Sequence, residues 1–391
     1  MSYPVIVAFA RTPIGSLSGA LKQVSAPRLG AAALMGVMAK VPEVSSSQVG
    51  EVFMGNVLSA GVGQAPATQA VRFAGLGDAI PSTTINKVCA SGMKSVFFGA
   101  QAVDLGLHEV VLAGGMESMS NAPHLLAARK GIRLGDATLI DSLVHDGLWD
   151  PYDKKHMGAC AEVLAEEMNI TRNEQDDYAQ LSYDRAIFGK ALHEKHEIVS
   201  VENGDARKKI IVSDDEEPKN GDTSKLRSLR TIFKKDGNVT AGNASTINDG
   251  AAALMITSRT FAEQNNLTPL CEIIAFADAQ TDPTHFTMAP VLAIPKALAL
   301  CDLEISDVDV FEISEAFSLV AIANAKILSI PTHNLNIHGG AVALGHPIGA
   351  SGARIIGTLA AALANGFGQI GVAAVCNGGG GASAIVLRKT P

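Results

Sequence analysis

Short apolar runs rich in β-branched residues, at 5–9, 51–54 and 110–113, alternate with alanine-rich windows of helical length at 29–40 and 92–105. The alternation returns after residue 270, with apolar runs at 271–275, 310–313 and 372–376. Strand-length runs separated by helix-length windows predict α/β layers with helices packed on strands. Two stretches also carry matching signatures. VFMGN at 52–56, NKVCASGMK at 86–94 and VVLAGG at 110–115 are answered by VFEIS at 310–314, SGAR at 351–354 and AAVCNGG at 373–379. The offsets are 258 (Val52 to Val310), 260 (Ser91 to Ser351) and about 263 at the closing strands, and each copy holds a cysteine among small residues. So long a repeat predicts a duplicated fold rather than a solenoid. Two related halves meeting across a pseudo-twofold axis would bring Cys89 and Cys376 into one cleft.

Between about 118 and 246 charges gather and turn residues multiply, and the second half has no counterpart, so this stretch is expected to be a folded insertion in the first copy. Within it, Thr171 and Glu174 form a capping-box pattern that predicts a helix through Arg185. The expected organisation is a first half over 1–267, including the inserted loop domain at about 118–246, and a second half over 268–391. Lys225, Arg227, Arg230, Lys234 and Lys235 form a basic run that suits either a solvated face or an anion.

At 391 residues the chain exceeds one core and calls for two or three domains. Hydrophobic residues make up 47% and charged residues 18%, with mean hydropathy +0.21, the profile of a well-buried globular protein. A net charge of −8 and a pI near 5.7 give no general attraction to nucleic acid or an anionic membrane. The apolar windows at 29–41 and 355–364 are too short to span a bilayer and read as buried helices. Five widely spaced cysteines without a C-x-x-C pair point away from zinc and toward a reducing compartment. The N-terminus opens directly into a strand-like run, with no cationic leader pattern in this chain.

Cys89 lies just before an expected helix, where the positive end of the macrodipole stabilises a thiolate and lowers its pKa; the bland alternative is a small buried apolar side chain. His346 lies in the glycine- and proline-rich loop 336–352 ahead of the matching helix of the second copy, where an imidazole can take a thiol proton or donate to an oxyanion. Cys376 ends a strand before Asn377 and four glycines, whose backbone amides are free to point at one spot. Two thiols, an imidazole and free amides suit acyl transfer.

NKVCASGMKS at 86–95, GGMESMS at 114–120, NASTINDGAAA at 243–253, GGAVALGHPIGASG at 339–352 and CNGGGG at 376–381 resemble the thiolase family, in the family's order and nearly end to end. NAST at 243–246, His156-Met157-Gly158, and Phe286 ahead of Ala289-Pro290 most resemble its mitochondrial acetoacetyl-CoA subgroup, although Thr287 stands where proline is expected. The resemblance implies a layered αβαβα fold. It implies that Cys89 takes an acetyl group from acetyl-CoA with His346 as base, and that Cys376 removes a C2 proton from a second acetyl-CoA to give acetoacetyl-CoA, thiolysis being the reverse. The amides of Cys89 and Gly378 would hold the tetrahedral oxyanion, and His346 with a water the enolate. Coenzyme A contacts carry over to His156, Met157, Tyr183, Asn220, Gly221, Asp222, Lys225 and Ser245, with Phe233 and Phe317 as walls. A potassium ion carries over to Tyr183, Ala241, Gly242, Ala244 and Val342; no prosthetic group is implied. A homotetramer built as a dimer of dimers is implied, in the mitochondrial matrix, with the cytoplasm as the alternative.

One position departs from the family. Ser314 opens SEAF where the family reads NEAF, and the family's asparagine positions the enolate-binding water. A serine holds a water with shorter reach and a rotating hydroxyl, or simply caps the helix that follows. Two other readings compete. A β-ketoacyl synthase-type condensing enzyme normally places histidine or asparagine where Cys376 stands, and a non-catalytic acyl-CoA-binding protein is motivated by Ser314 alone.

Overall fold

The computed structural model describes residues 3–390 apart from 130, 133 and 206–207. The first half contributes β1 (Val5–Arg11), β2 (Glu51–Gly55), β3 (Ser82–Ile85), β4 (Val110–Ser118) and β5 (Asn248–Thr257), with helices α1 (Ala26–Lys40), α2 (Pro66–Phe73) and α3 (Ser91–Asp104). Between β4 and β5 runs the insertion, which holds α4 (Met157–Glu167) and α5 (Arg172–Leu192). The second half contributes β6 (Cys271–Gln280), β7 (Val310–Ile313), β8 (Ile370–Asn377) and β9 (Gly381–Lys389), with α6 (Pro290–Ala299), α7 (Ser318–Leu328), the single turn α8 (Ala341–Leu344) and α9 (Ile348–Ala364).

The strands follow the path β7-β8-β9-β6-β1-β5-β4-β2-β3. Read outward from the β1–β6 seam, where Val5 pairs Glu272 and Ile6 pairs Cys271, the halves repeat one topology. β1 answers β6, β5 answers β9, β4 answers β8 and β2 answers β7, with the last pair parallel in both halves. That is the expected duplication, with one correction of register. Val52 pairs Leu112 and Val310 pairs Gly371, so matched positions of the closing strands lie 259 apart, not about 263. On this register Cys376 corresponds to Glu117, and Cys89, which precedes α3, has no cysteine counterpart. The small residues that both closing strands share, VVLAGG and AAVCNGG, mask the difference in the sequence.

Layering follows from which faces are apolar. Helix α1 covers one face of β1, β4 and β5, while α6 covers β6, β8 and β9 on the far side. Between the two halves of this sheet lie α3 and α9, which touch each other and, in the case of α9, strands of both halves. Every residue of α9 from Ile348 to Leu363 is buried, as expected of a helix apolar on all sides. Each fully buried Ile or Leu in it contributes roughly 1.5–3 kcal/mol. Backbone-to-backbone contact of α3 and α9 depends on glycine: a Cβ on Gly92 would lie 2.9 Å from the Ala353 nitrogen, and one on Gly352 2.5 Å from the Met93 nitrogen. Phe97 of α3 stacks on Phe276 of β6 at 4.6 Å, tying the central layer to the second half.

Helix α5 carries the expected capping box, Glu174 accepting from the Thr171 amide at 2.8 Å while Thr171 accepts from the Glu174 amide at 3.2 Å. It runs to Leu192 rather than ending at Arg185, because Ala186 and Gly189 pack on the Asn336–Gly340 loop, an interaction that offsets glycine's poor helix propensity. The basic run is largely paired: Lys225 with Asp222, Arg227 with Asp177 and Lys234 with Glu166. Among the described residues no helix is long and apolar enough to cross a membrane.

Candidate active site

Cys89, His346 and Gly378 wall one cleft of about 580 Å³, lined by residues of both halves and of the insertion. Cys89 arrives there on a strained turn. Val88, β-branched and at φ +49°, is held by the Ser91 hydroxyl, which donates to the Val88 carbonyl at 2.6 Å and accepts from the Lys87 amide at 2.8 Å. Lys87 and Lys94 both grip Asp278 of β6, at 2.5 and 2.7 Å, so the turn is anchored to the opposite half.

Helix α3 begins at Ser91 with Ala90 as its cap, so Cys89 lies just outside the first turn. The expected lowering of its pKa is not what the surroundings produce. Burial pushes the Cys89 thiol up to about 12, although the amides of Gly378 and of Cys89 itself lie beside the sulfur and favour the thiolate. Those are the two amides expected to form the oxyanion hole. Desolvation outweighs the helix end because the dipole acts only over the first turn.

His346 follows Gly345 and precedes α9. Its Nδ1 lies 2.7 Å from the Ser351 hydroxyl, which donates to the Pro347 carbonyl at 3.0 Å. Since that hydroxyl has one proton, both bonds form only when Nδ1–H is the donor, leaving Nε2 unprotonated. Nε2 has no hydrogen-bond partner within the protein. Burial, with Arg354 adding to it, lowers the His346 pKa to about 4. The resting pair is therefore a neutral thiol and a neutral imidazole with a free lone pair, fitted for proton transfer during attack rather than for a standing ion pair. Iodoacetamide labelling of Cys89 is accordingly expected to rise about tenfold per pH unit from about pH 6 to 10. A plateau already reached near pH 7 would contradict it.

Cys376, the penultimate residue of β8, is 1% exposed. It is near enough to Cys89 that charge on Cys89 adds to the upward push that burial gives its thiol. The equivalent strand end in the first half holds Glu117, also buried, which accepts from Asn56 Nδ2 (2.7 Å) and from the amides of Val57, Leu58 and Gly349 (3.1, 3.1 and 2.9 Å). Burial raises its pKa to about 7. The carboxyl braces the first turn of α9 against the chain leaving β2, a role that the GGMESMS run does not show as a sequence.

Ser314 does not cap α7, whose cap is Phe317. Its hydroxyl is buried without a partner, while its amide bonds to the Ala374 carbonyl at 2.9 Å beside the Cys376 strand. The neighbouring Glu315 is heavily anchored: Tyr178, Asn336 and Ser182 donate to it at 2.7–2.8 Å and the Val342 amide at 3.1 Å. This ties α5 of the insertion to the Ser314 turn and to α8, just ahead of His346.

The expected coenzyme A contacts separate into two adjoining cavities that share Glu217 and Ala241. His156, Met157, Phe233, Ser245 and Phe317 line the main cleft with Phe286, where His156 stacks on Phe233 at 4.6 Å and Phe233 meets Phe317 edge-on. Tyr183, Asn220, Gly221, Asp222 and Lys225 line the second, of about 260 Å³. Of the expected potassium positions, Tyr183, Ala241 and Gly242 wall this second cavity; Ala244 faces the main cleft and Val342 packs in an apolar cluster with Tyr183. The donors there, a phenol, backbone carbonyls and the Glu217 and Asp222 carboxyls, are hard oxygens of the kind that suit an alkali cation. Among the described residues no cluster of three or more His, Cys, Asp or Glu side chains is placed for a metal.

Family models for the N-terminal and C-terminal domains of thiolase match residues 4–260 and 267–389. The chain belongs to the thiolase family. It is 51% identical to acetyl-CoA acetyltransferase 2 of Arabidopsis thaliana, over 98% of this chain and 96% of that protein, and 50% identical to the mitochondrial acetyl-CoA acetyltransferase of Xenopus tropicalis, over 98% and 91%. Among solved structures, Acat5 thiolase from Ascaris suum in complex with coenzyme A superposes with a TM-score of 0.93 at 40% identity, covering 99% of this chain and all of that one. The acetyl-CoA acetyltransferase of Bacillus anthracis reaches 0.96 at 36% identity, covering 100% and 99%. The thiolase fold, duplicated and layered, is thus shared across the whole length.

Proposed function

We propose that this thiolase is an acetyl-CoA acetyltransferase, joining two acetyl-CoA into acetoacetyl-CoA and CoA and running the reverse thiolysis. The observation that carries the reading is Cys89 in a cleft of about 580 Å³ with two amides at its sulfur and the unprotonated nitrogen of His346 on the same wall. In the first half-reaction Cys89 attacks the thioester carbonyl and its proton passes to His346 Nε2. The Cys89 and Gly378 amides hold the tetrahedral oxyanion. Collapse expels CoA thiolate, which takes the Cys376 proton and departs as the thiol. Cys376, now a thiolate, removes a C2 proton from the second acetyl-CoA. The enolate oxygen accepts from His346 Nε2–H and a water at Ser314, and its carbon attacks acetyl-Cys89. Cys89 leaves with the proton returned by His346. Incubation with acetyl-CoA is expected to leave one acetyl group on Cys89, read by intact mass and peptide mapping; a chain that stays unmodified would overturn the assignment.

The Lys225, Arg227 and Lys234 ion pairs disfavour the carrier-protein docking that a β-ketoacyl synthase needs. Covalent acetylation would also exclude a pure acyl-CoA binder. Finer readings belong to the same proposal: potassium held by Tyr183 and the carbonyls of Ala241 and Gly242, which supplies fixed positive charge beside the CoA loop; a tetramer, favoured by exposed Leu126, Leu134, Leu139 and Ile140 on one insertion loop; and a place in the mitochondrial matrix. Thiolysis of acetoacetyl-CoA and its 2-methyl derivative, by wild type and Ser314→Asn, in potassium and in sodium, tests the ion and the role of Ser314. Faster thiolysis in potassium and a changed rate or substrate ratio for Ser314→Asn, up to about tenfold, are expected. Equal rates in both salts remove the ion, and identical kinetics of the two chains remove the role of Ser314.

A further inference from the structure

His346 is held by two anchors, and only one is on its own half. Ser351 fixes the ring. The backbone is gripped by Asn248, the fully buried first residue of β5, a side chain that the proposed chemistry does not use. Asn248 Oδ1 accepts from the His346 amide at 2.8 Å and from the Thr246 hydroxyl at 2.9 Å. Its Nδ2 donates to the Gly15 carbonyl at 3.0 Å and to Glu217 Oε1 at 2.9 Å. Every donor and acceptor position of the amide is thereby filled.

The turn ahead of the base is shaped around this amide. Gly345 sits at φ +100°, and a Cβ there would fall 2.5 Å from Asn248 Cγ, so backbone strain and space both demand glycine. Glycine also makes the turn a pivot, which leaves the orientation of the His346 backbone to the Asn248 bond. The other ends of the hub are cleft walls. Thr246 and Glu217 line the main cleft, and Glu217 also faces the second cavity with Tyr183 and residues 220–222.

We infer that Asn248 is a positioning residue, coupling the cleft wall at Thr246 and Glu217 to the backbone of His346, so that Nε2 comes on target when that wall is in place. The inference rests on the proposed reaction at Cys89 and His346. It makes the wall that touches the acyl-CoA and the base that serves it parts of one hydrogen-bonded unit.

The test uses Asn248→Ala, Asn248→Asp, and Asn248→Asp combined with Glu217→Gln, in the full-length chain. The readout is the rate constant of Cys89 acetylation by acetyl-CoA, normalised to the acetylatable sites, together with its pH profile. Asn248→Asp keeps the acceptor for the His346 amide but loses both donations and sets two carboxyls against each other. It and Asn248→Ala are expected to slow acetylation by about 10- to 100-fold per site, the scale of a misplacement of about 1 Å. The acid limb is expected to move up toward about pH 6.5 as the imidazole gains access to water. The added Glu217→Gln, whose amide donates into the new carboxyl, is expected to restore most of the rate. A role in folding alone would reduce the number of acetylatable sites while leaving the rate constant and acid limb of each unchanged, and that result overturns the inference. Should the wild type itself take no acetyl group, the proposed function falls and carries this inference with it. Normal wild-type acetylation matched by the variants sinks the inference alone.

Discussion

Cys89→Ala is expected to remain folded, to take no label from acetyl-CoA, and to turn over more than about 10⁴-fold more slowly than wild type. The fold should tolerate the change because the side chain is small and packs among apolar neighbours such as Met93 and Ala90 of the central layer, where alanine fits. The chemistry should not. With the sulfur gone, the Gly378 and Cys89 amides still face the cleft and His346 still offers a free nitrogen, yet nothing remains to carry the acyl group between the two half-reactions. Loss of one nucleophile then costs nearly as much as loss of the whole assembly. Steady-state thiolysis together with intact mass reads both parts. A variant retaining even one hundredth of the wild-type rate would mean that the acyl group never rests on this cysteine.

Cys376→Ala is expected to divide the reaction. Its thiol is buried at the end of β8 beside Cys89 and is raised by burial, so it holds its proton until a strong base such as departing CoA thiolate arrives. The first acetyl transfer uses Cys89, His346 and the two amides, so the acetyl-enzyme should still form, more slowly only to the extent that CoA leaves without a proton donor. Carbon–carbon bond formation needs a base at C2 and should fall by about 10²- to 10⁴-fold, the usual contribution of a positioned acid–base group. The consequence is an acetyl-enzyme that accumulates, with exchange of C2 deuterium from labelled acetyl-CoA lost. If acetylation and exchange instead fall together, the two sulfurs do not share the work as proposed.

The duplication could be read from the chain because periodicity and composition are properties of segments: Val52 and Val310 open matching parallel strands, and the Gly- and Ala-rich windows became the close-packed α3 and α9. Register was harder. Matching the closing strands by their small residues misaligned them by about four residues, which only the Val52–Leu112 and Val310–Gly371 pairings correct. Side-chain electrostatics were harder still. A helix start beside Cys89 is visible in the sequence, but the depth to which α9 buries it is not, and burial reverses the direction of its pKa shift. Asn248 and Glu117 lie inside recognisable motifs, but most of their partners lie from about 30 to 230 residues away, beyond any local pattern.

The strand end occupied by Glu117 has a consequence for stoichiometry. Pseudo-symmetry presents two equivalent locations for a working group at the rim of the central helices, yet one is committed to four hydrogen bonds that clamp the turn after β2 to α9. A mirror-image centre is thereby foreclosed. On the proposed mechanism each polypeptide works through one pair of thiols, and one copy of the repeat serves as the anvil against which the other works.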